Sequence, residues 1–203
     1  METMQLATTC QNTVDGHTNR VFCTKFDSQN PDVVYSGSWD SYVLVNDLRA
    51  KKQVGAFVGP YVCGDCIDAR DHNVLIGSYR SEDYLAIYDS RNFQKALDIN
   101  WSDAKGAKGF IYAAKWWQAK DVKSNIFVAG SAGTNDLKVF KQSKDAEDQG
   151  AYAEINHVTG IVGAVLCLDL TQDNSSIAYG TQEGELTILM GDGFNKDQKE
   201  EED

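Results

Sequence analysis

Asp15-Gly16-His17, then Val21-Phe22-Cys23-Thr24-Lys25-Phe26, then Val33-Val34-Tyr35-Ser36-Gly37-Ser38-Trp39-Asp40, then Tyr42-Val43-Leu44-Val45-Asn46-Asp47-Leu48-Arg49 follow one another along the chain. Three short runs rich in β-branched and aromatic residues are parted by turn formers, the pattern of strands joined by tight loops. A fourth run, Gln53 to Phe57, follows Lys51-Lys52. Four strands thus fill about 40 residues.

The unit returns three times. Its second copy holds Cys66-Ile67-Asp68-Ala69, Val74-Leu75-Ile76-Gly77-Ser78 and Tyr84-Leu85-Ala86-Ile87-Tyr88-Asp89. The third holds Ile111-Tyr112-Ala113-Ala114-Lys115-Trp116, Ile126-Phe127-Val128-Ala129-Gly130-Ser131 and Leu137-Lys138-Val139-Phe140. The fourth holds Val165-Leu166-Cys167-Leu168-Asp169, Ile177-Ala178-Tyr179-Gly180-Thr181 and Leu186-Thr187-Ile188-Leu189. Gly37, Gly77, Gly130 and Gly180 keep one place in the second strand, 40, 53 and 50 residues apart. Polar insertions at residues 118–124 and 141–150 widen the later intervals and belong in loops.

Such a period, with four strands in each unit, predicts an all-β fold of about four four-stranded β-propeller blades, a partial or half propeller. A glycine is expected where backbones converge toward the centre and a side chain would obstruct them. A two-sheet sandwich has no reason to repeat the whole unit. The expected layout is a strand within residues 1–14, blades at 15–58, 59–100, 101–157 and 158–193, and an acidic solvated tail at 194–203. The third blade carries an acidic insertion, and the last is incomplete.

The first copy resembles the WD-repeat family, whose pattern is a Gly-His pair, a Ser-Gly-Ser-x-Asp exit from the second strand and a Trp-Asp end to the third. Here these read Gly16-His17, Ser36-Gly37-Ser38-Trp39-Asp40 and Asn46-Asp47. The resemblance implies a buried hydrogen-bonded network stiffening the blade, with His17, Ser36 and Asp40 in matching places and Asp47 ending the strand. Asn46 replaces the family's Trp, which removes the indole donor. Tyr88, Phe140 and Leu189 take that slot in later copies, and Gly59-Pro60 replaces the Gly-His pair in the second. The resemblance covers roughly residues 15 to 190 and fades after the first copy.

Family rings usually close with seven or eight blades, so four repeats leave several arrangements open. The chain is a truncated form of a larger propeller, or half of a homodimeric eight-bladed ring, or a small closed ring, or an open arc capped by a partner. Residues 4–10 read as an outermost strand able to complete the last blade.

A length of 203 residues accommodates one sizeable core. No apolar run reaches the roughly 18 residues needed to cross a bilayer, and residues 1–14 lack a secretory pattern. A cytoplasmic protein is expected, with nucleus or cytoskeleton and cilium also compatible. The net charge of −11 repels phosphate backbones and anionic membranes, so neither nucleic acid nor membrane is expected as a partner.

Catalytic motifs are missing: no nucleophile elbow, no phosphate-binding Gly-x-x-x-x-Gly-Lys and no His-Glu-x-x-His occur. Neither an enzyme nor a cofactor is expected. Cys63-Gly64-Asp65-Cys66 is a weak metal or redox candidate, because Cys66 leads into a strand rather than a helix and no second pair exists. The five cysteines, Cys10, Cys23, Cys63, Cys66 and Cys167, read as free thiols. The basic stretch from Lys105 to Gly109 reads as a loop between blades.

What remains is a scaffold that holds proteins or peptides. Blade-to-blade loops and second-to-third-strand loops open on one face, which is expected to gather Trp39, Tyr79, Arg80 and Trp101. Aromatic residues and arginine dominate binding hot spots. Of Trp116 and Trp117, adjacent on a strand, one is expected inside and one at the edge. The alternative is a truncated or degenerate relative with no binding role of its own. The resemblance implies roles in multi-subunit assemblies, from ubiquitin ligases and chromatin complexes to vesicle coats, signalling and the cytoskeleton.

Overall fold

β-Branched runs closed by Asx turns build every hairpin of the first blade. Asp27 accepts the N–H groups of Gln29 and Asn30, each at 2.8 Å, and so closes the first loop. Asp47 does the same for Arg49 and Ala50 at 2.8 and 3.0 Å, and Asp89 for Arg91 in the second blade. A short carboxylate that bonds its own backbone two residues on is a natural turn former.

The computed structural model describes residues 16–80, 82, 84–101, 106, 109–117, 125–143, 150–173 and 175–190, and all regular elements there are strands. Blade 1 is β1 (Val21–Phe26), β2 (Val33–Ser38), β3 (Tyr42–Asp47) and β4 (Lys52–Val58). Blade 2 is β5 (Ile67–Arg70), β6 (Asn73–Gly77), β7 (Leu85–Asp89) and β8 (Gln94–Asp98). Blade 3 is β9 (Phe110–Trp116), β10 (Ile126–Ala132), β11 (Leu137–Gln142) and β12 (Tyr152–Val158). Blade 4 contributes β13 (Val165–Leu170), β14 (Ser176–Thr181) and β15 (Leu186–Met190). Each blade is a separate antiparallel meander in chain order. The fold is a four-bladed β-propeller. The expected strand at residues 4–10, Cys10, the insertion at 118–124, residues 144–149 of the acidic insertion and residues 191–203 lie outside the described residues.

Inner strands touch the neighbouring blade and outer strands face water. The outermost β8 and β12 are mostly exposed, whereas β9 is buried on both faces. One apolar cluster runs through blades 1 to 3 and includes Tyr35, Phe57, Leu75, Ile111 and Phe127. A second joins blades 3 and 4 through Val128, Leu137, Leu168 and Ile177. Trp116 belongs to the first cluster and Trp117 to the second, and both are buried. The expected edge residue of that pair is therefore a core residue, because blade 3 is covered from both sides.

The recurring glycines have a more specific reason than converging backbones. A Cβ on Gly37 would lie 2.7 Å from Val62 and Ile67, one on Gly77 2.6 Å from Ile111, and one on Gly130 2.4 Å from Val165. Each glycine is thus a socket for an apolar side chain of the following blade. Backbone crowding does occur elsewhere: a Cβ on Gly64 would lie 2.2 Å from the Tyr112 carbonyl oxygen.

Blade contacts run from β1 to β5, from β5 and β6 to β9, and from β9 and β10 to β13. Among the described residues no comparable contact links β13–β15 back to β1–β4. The described blades form an arc with two free ends.

Candidate functional site

Hydrogen bonds between connectors and turns build the upper rim. The Trp39 N–H donates to the Arg20 carbonyl at 3.2 Å, Val62 to Ser38 at 3.1 Å, Tyr79 to Tyr61 at 2.8 Å and Ile111 to Ser78 at 3.2 Å. Each bond ties a second-to-third-strand exit to the approach or start of an inner strand, so these segments share one face.

Two aromatic groups stand on that face. Trp39 stacks on Tyr61 at 5.9 Å between ring centroids, meets Phe22 at 4.6 Å and lies under the Arg20 guanidinium at 5.4 Å. Tyr79 stacks on Phe110 at 4.5 Å and meets the edge of Tyr112 at 5.6 Å. Arg80 links the two, donating from Nη2 to Ser41 Oγ at 2.6 Å across the blade 1–blade 2 boundary. Tyr79, Arg80, Arg20 and Phe22 are exposed, and Trp39 and Tyr61 are half-buried. The surface thus offers apolar area with arginine donors at its margin, held rigid by the stacking itself.

Trp101 is a different case. It is 0% exposed, its indole N–H donates to Thr134 Oγ1 at 3.1 Å, and a Cβ on Gly109 would lie 2.2 Å from the ring. A connector residue was expected on the rim, but this one turns inward between blades 2 and 3 and offers nothing to a partner. Around it runs a polar chain that the sequence reading missed. Thr134 Oγ1 lies 2.7 Å from Ser131 Oγ, which donates to Asp136 Oδ1 at 2.8 Å. The available signal was Ser131, following Gly130 as Ser38 follows Gly37. Of the basic loop nearby, Gly106 is exposed, while Lys105 and Lys108 lie outside the described residues.

Below Trp39 lies the blade 1 network. His17 Nδ1 is 2.8 Å from Asp40 Oδ2, and Nε2 is 2.9 Å from Ser36 Oγ and 3.0 Å from the Ser36 carbonyl. Asp40 also accepts the Thr18 and Tyr42 N–H groups at 2.9 and 3.1 Å. Asn46, in the slot where an indole was missed, supplies its own donor: Nδ2 reaches Ser36 Oγ at 3.4 Å. Asp47 makes turn contacts at the far end of β3 and is not bonded to this group. His17→Ala is expected to cost roughly 1–3 kcal/mol by stranding its half-buried Asp40 and Ser36 partners. Urea denaturation measures it, and an unchanged midpoint would show the network contributes nothing.

Cys63 is half-buried and Cys66 buried where the chain enters the second blade. Burial pushes the Cys63 thiol up to about 11, partly offset by the Trp39 indole, and raises Cys66 as well. Cys66 donates to the Gly77 carbonyl at 3.2 Å. No cluster of three or more His, Cys, Asp or Glu suited to a metal occurs among the described residues.

The opposite mouth of the arc holds a cavity of about 340 Å³, lined by Lys25, Asp68, Arg70, Trp116 and Trp117 among others. Asp68, 2% exposed, accepts Lys25 Nζ at 2.8 Å from blade 1 and the Trp116 N–H at 2.7 Å from blade 3. One carboxylate therefore ties three blades. Arg70 donates to the Trp117 carbonyl at 3.1 Å, and the buried Trp116 Nε1 has no hydrogen-bond partner among the described residues.

No family model matches the chain, and no curated protein matches it in sequence. Solved structures do share its fold. The computationally designed Ika4 protein is similar at a TM-score of 0.63 and 16% identity, over 93% of this chain and 99% of that one. A chain in the crystal structure of the mitotic checkpoint complex is similar at a TM-score of 0.65 and 13% identity, over 87% of this chain and 50% of that one. At such identities the likeness establishes the β-propeller fold.

Proposed function

We propose that this protein is a non-enzymatic scaffold of the WD-repeat type, holding other proteins on its upper rim within a multi-subunit assembly. The observation that carries the reading is the Trp39–Tyr61 and Tyr79–Phe110 stacks, bridged by Arg80 and flanked by Arg20. Rigid aromatic area with arginine at its edge loses little conformational freedom on binding, which is what binding hot spots require. The His17–Asp40–Ser36 geometry supports the WD-repeat assignment, since the resemblance implies that arrangement. Proteins or peptides in the cytoplasm are the proposed partners, and the negative net charge weighs against nucleic acid and membranes.

Affinity capture with quantitative mass spectrometry tests the reading. The intact protein is expected to retain a defined set of proteins at fixed ratio. Tyr79→Ala combined with Arg80→Ala should reduce that set at least tenfold, as expected of two hot-spot truncations of about 1 kcal/mol or more each, with the melting curve nearly unchanged. Equal capture by a folded double variant would refute the rim as the binding face.

A further inference from the structure

All three internal joints share one construction. An apolar side chain of the following blade fills the second-strand glycine of the preceding one: Val62 and Ile67 on Gly37, Ile111 on Gly77, Val165 on Gly130. At the end of the arc, a Cβ on Gly180 would meet, among the described residues, only Cys167 Sγ and the Glu185 carbonyl, both of its own blade. Among the described residues no other blade fills that socket. At the start of the arc, Val21 sits opposite Ser38 just as Val165 sits opposite Thr181 and Ile111 opposite Ser131. Val165 and Ile111 are buried plugs, whereas Val21 is 49% exposed. The free ends carry the two halves of one joint.

The faces around these halves are apolar. Leu186, Ile188 and Met190 pair with Gly180, Ala178 and Ser176 and so share the open face of blade 4, at 74%, 60% and 83% exposure. On blade 1, Phe57 packs toward blade 2 against Tyr88, leaving Val58 to face the other way at 67% exposure. Exposed apolar sheet of this kind is normally covered in a working assembly.

Charge selects what covers it. Counting two residues on from the glycine's partner in each inner strand gives Lys25, Asp68, Lys115 and Asp169, opposite Tyr35, Leu75, Val128 and Ala178. The sign alternates around the arc. Lys25 pairs with Asp68 at 2.8 Å, and Lys115 pairs with Asp65 at 2.6 Å. Burial opposes the Lys115 charge, but Asp65, Asp68 and Asp169 outweigh it and raise its pKa. A blade following Asp169 must therefore present a lysine at this position, and blade 1 does. Asp68 also accepts the N–H of Trp116, one residue beyond Lys115, and the matching residue of blade 1 is Phe26.

We propose that two copies of this chain close into one eight-bladed ring, the blade 4 end of each docking on the blade 1 end of the other. Val21 of one copy fills the Gly180 socket of the other, and Asp169 faces Lys25 and the Phe26 N–H across the boundary. The two joints are related by a twofold axis, so assembly stops at two.

Light scattering coupled to size exclusion on the full chain tests this. The expected mass is twice the chain's 22.4 kDa, independent of concentration. Asp169→Lys places like charge against Lys25, and Gly180→Val plugs the socket from within, its Cβ pressing on the exposed Cys167 side chain. Each is expected to halve the mass with an unchanged far-UV circular dichroism spectrum. Cys167, on the docking face, should resist alkylation in the parent protein and label readily in the variants. A single-chain mass for the parent, a mass that climbs with concentration, or a folded variant that keeps the doubled mass would each overturn the proposal. Should Asp169→Lys fail to fold, Gly180→Val decides.

Discussion

Trp101→Ala is expected to lower stability by about 3–5 kcal/mol, the usual cost of truncating a fully buried indole. The ring fills the space between the blade 2–blade 3 connector and blade 3, with Phe140 at 5.8 Å, the Lys138 ammonium 5.2 Å from its centroid, and Gly109 pressed against it. Its removal leaves a cavity that Gly109 has no side chain to fill. Trp101→Phe retains much of the volume but loses the donor to Thr134, so a smaller loss of about 1 kcal/mol is expected. Denaturation in urea with both variants separates packing from hydrogen bonding. An alanine variant as stable as the parent would show that the connector is not anchored there.

The difference between Trp101 and Tyr79 shows where sequence reading stops. Blade number, strand order and the place of the repeated glycines were all legible, because alternation and turn chemistry act over a few residues. So were His17, Ser36 and Asp40, which lie within one repeat. Whether a connector aromatic points outward or inward depends on what the next blade leaves unfilled. Gly109 and Thr134 decide it for Trp101, from 8 and 33 residues away. Tyr79 stays on the rim because Phe110 and Tyr112 occupy the space beneath it. Asp47 matched a motif but serves its own turn, since the β3 end lies away from His17. The alternation of Lys25, Asp68, Lys115 and Asp169 was present in the sequence, yet the register that aligns these residues came only with the strand pairing.

The second large effect belongs to Asp68, and it tests whether the blades are held together at their inner strands. Lys25 and the Trp116 N–H both depend on this carboxylate, and neither partner comes from blade 2. Asp68→Ala leaves an ammonium and a backbone N–H without their acceptor in a site that is nearly closed to water. Breaking a buried ion pair from one side costs about 3–5 kcal/mol. Lys25 retains 30% side-chain exposure and can recover some hydration, which puts the expected loss near the lower end, about 3 kcal/mol. Asp68→Asn keeps an acceptor for Trp116 but not the charge for Lys25, so it should fall between alanine and the parent. Lys25→Met in the Asp68→Asn background removes the stranded ammonium and should recover part of the loss, since the stem of lysine packs much as methionine does. Calorimetric melting of the parent, Asp68→Asn, Lys25→Met and the double variant reads out the coupling. If Asp68→Asn and Lys25→Met prove additive, the carboxylate does not join blade 1 to blade 2, and the joint rests on the glycine sockets alone.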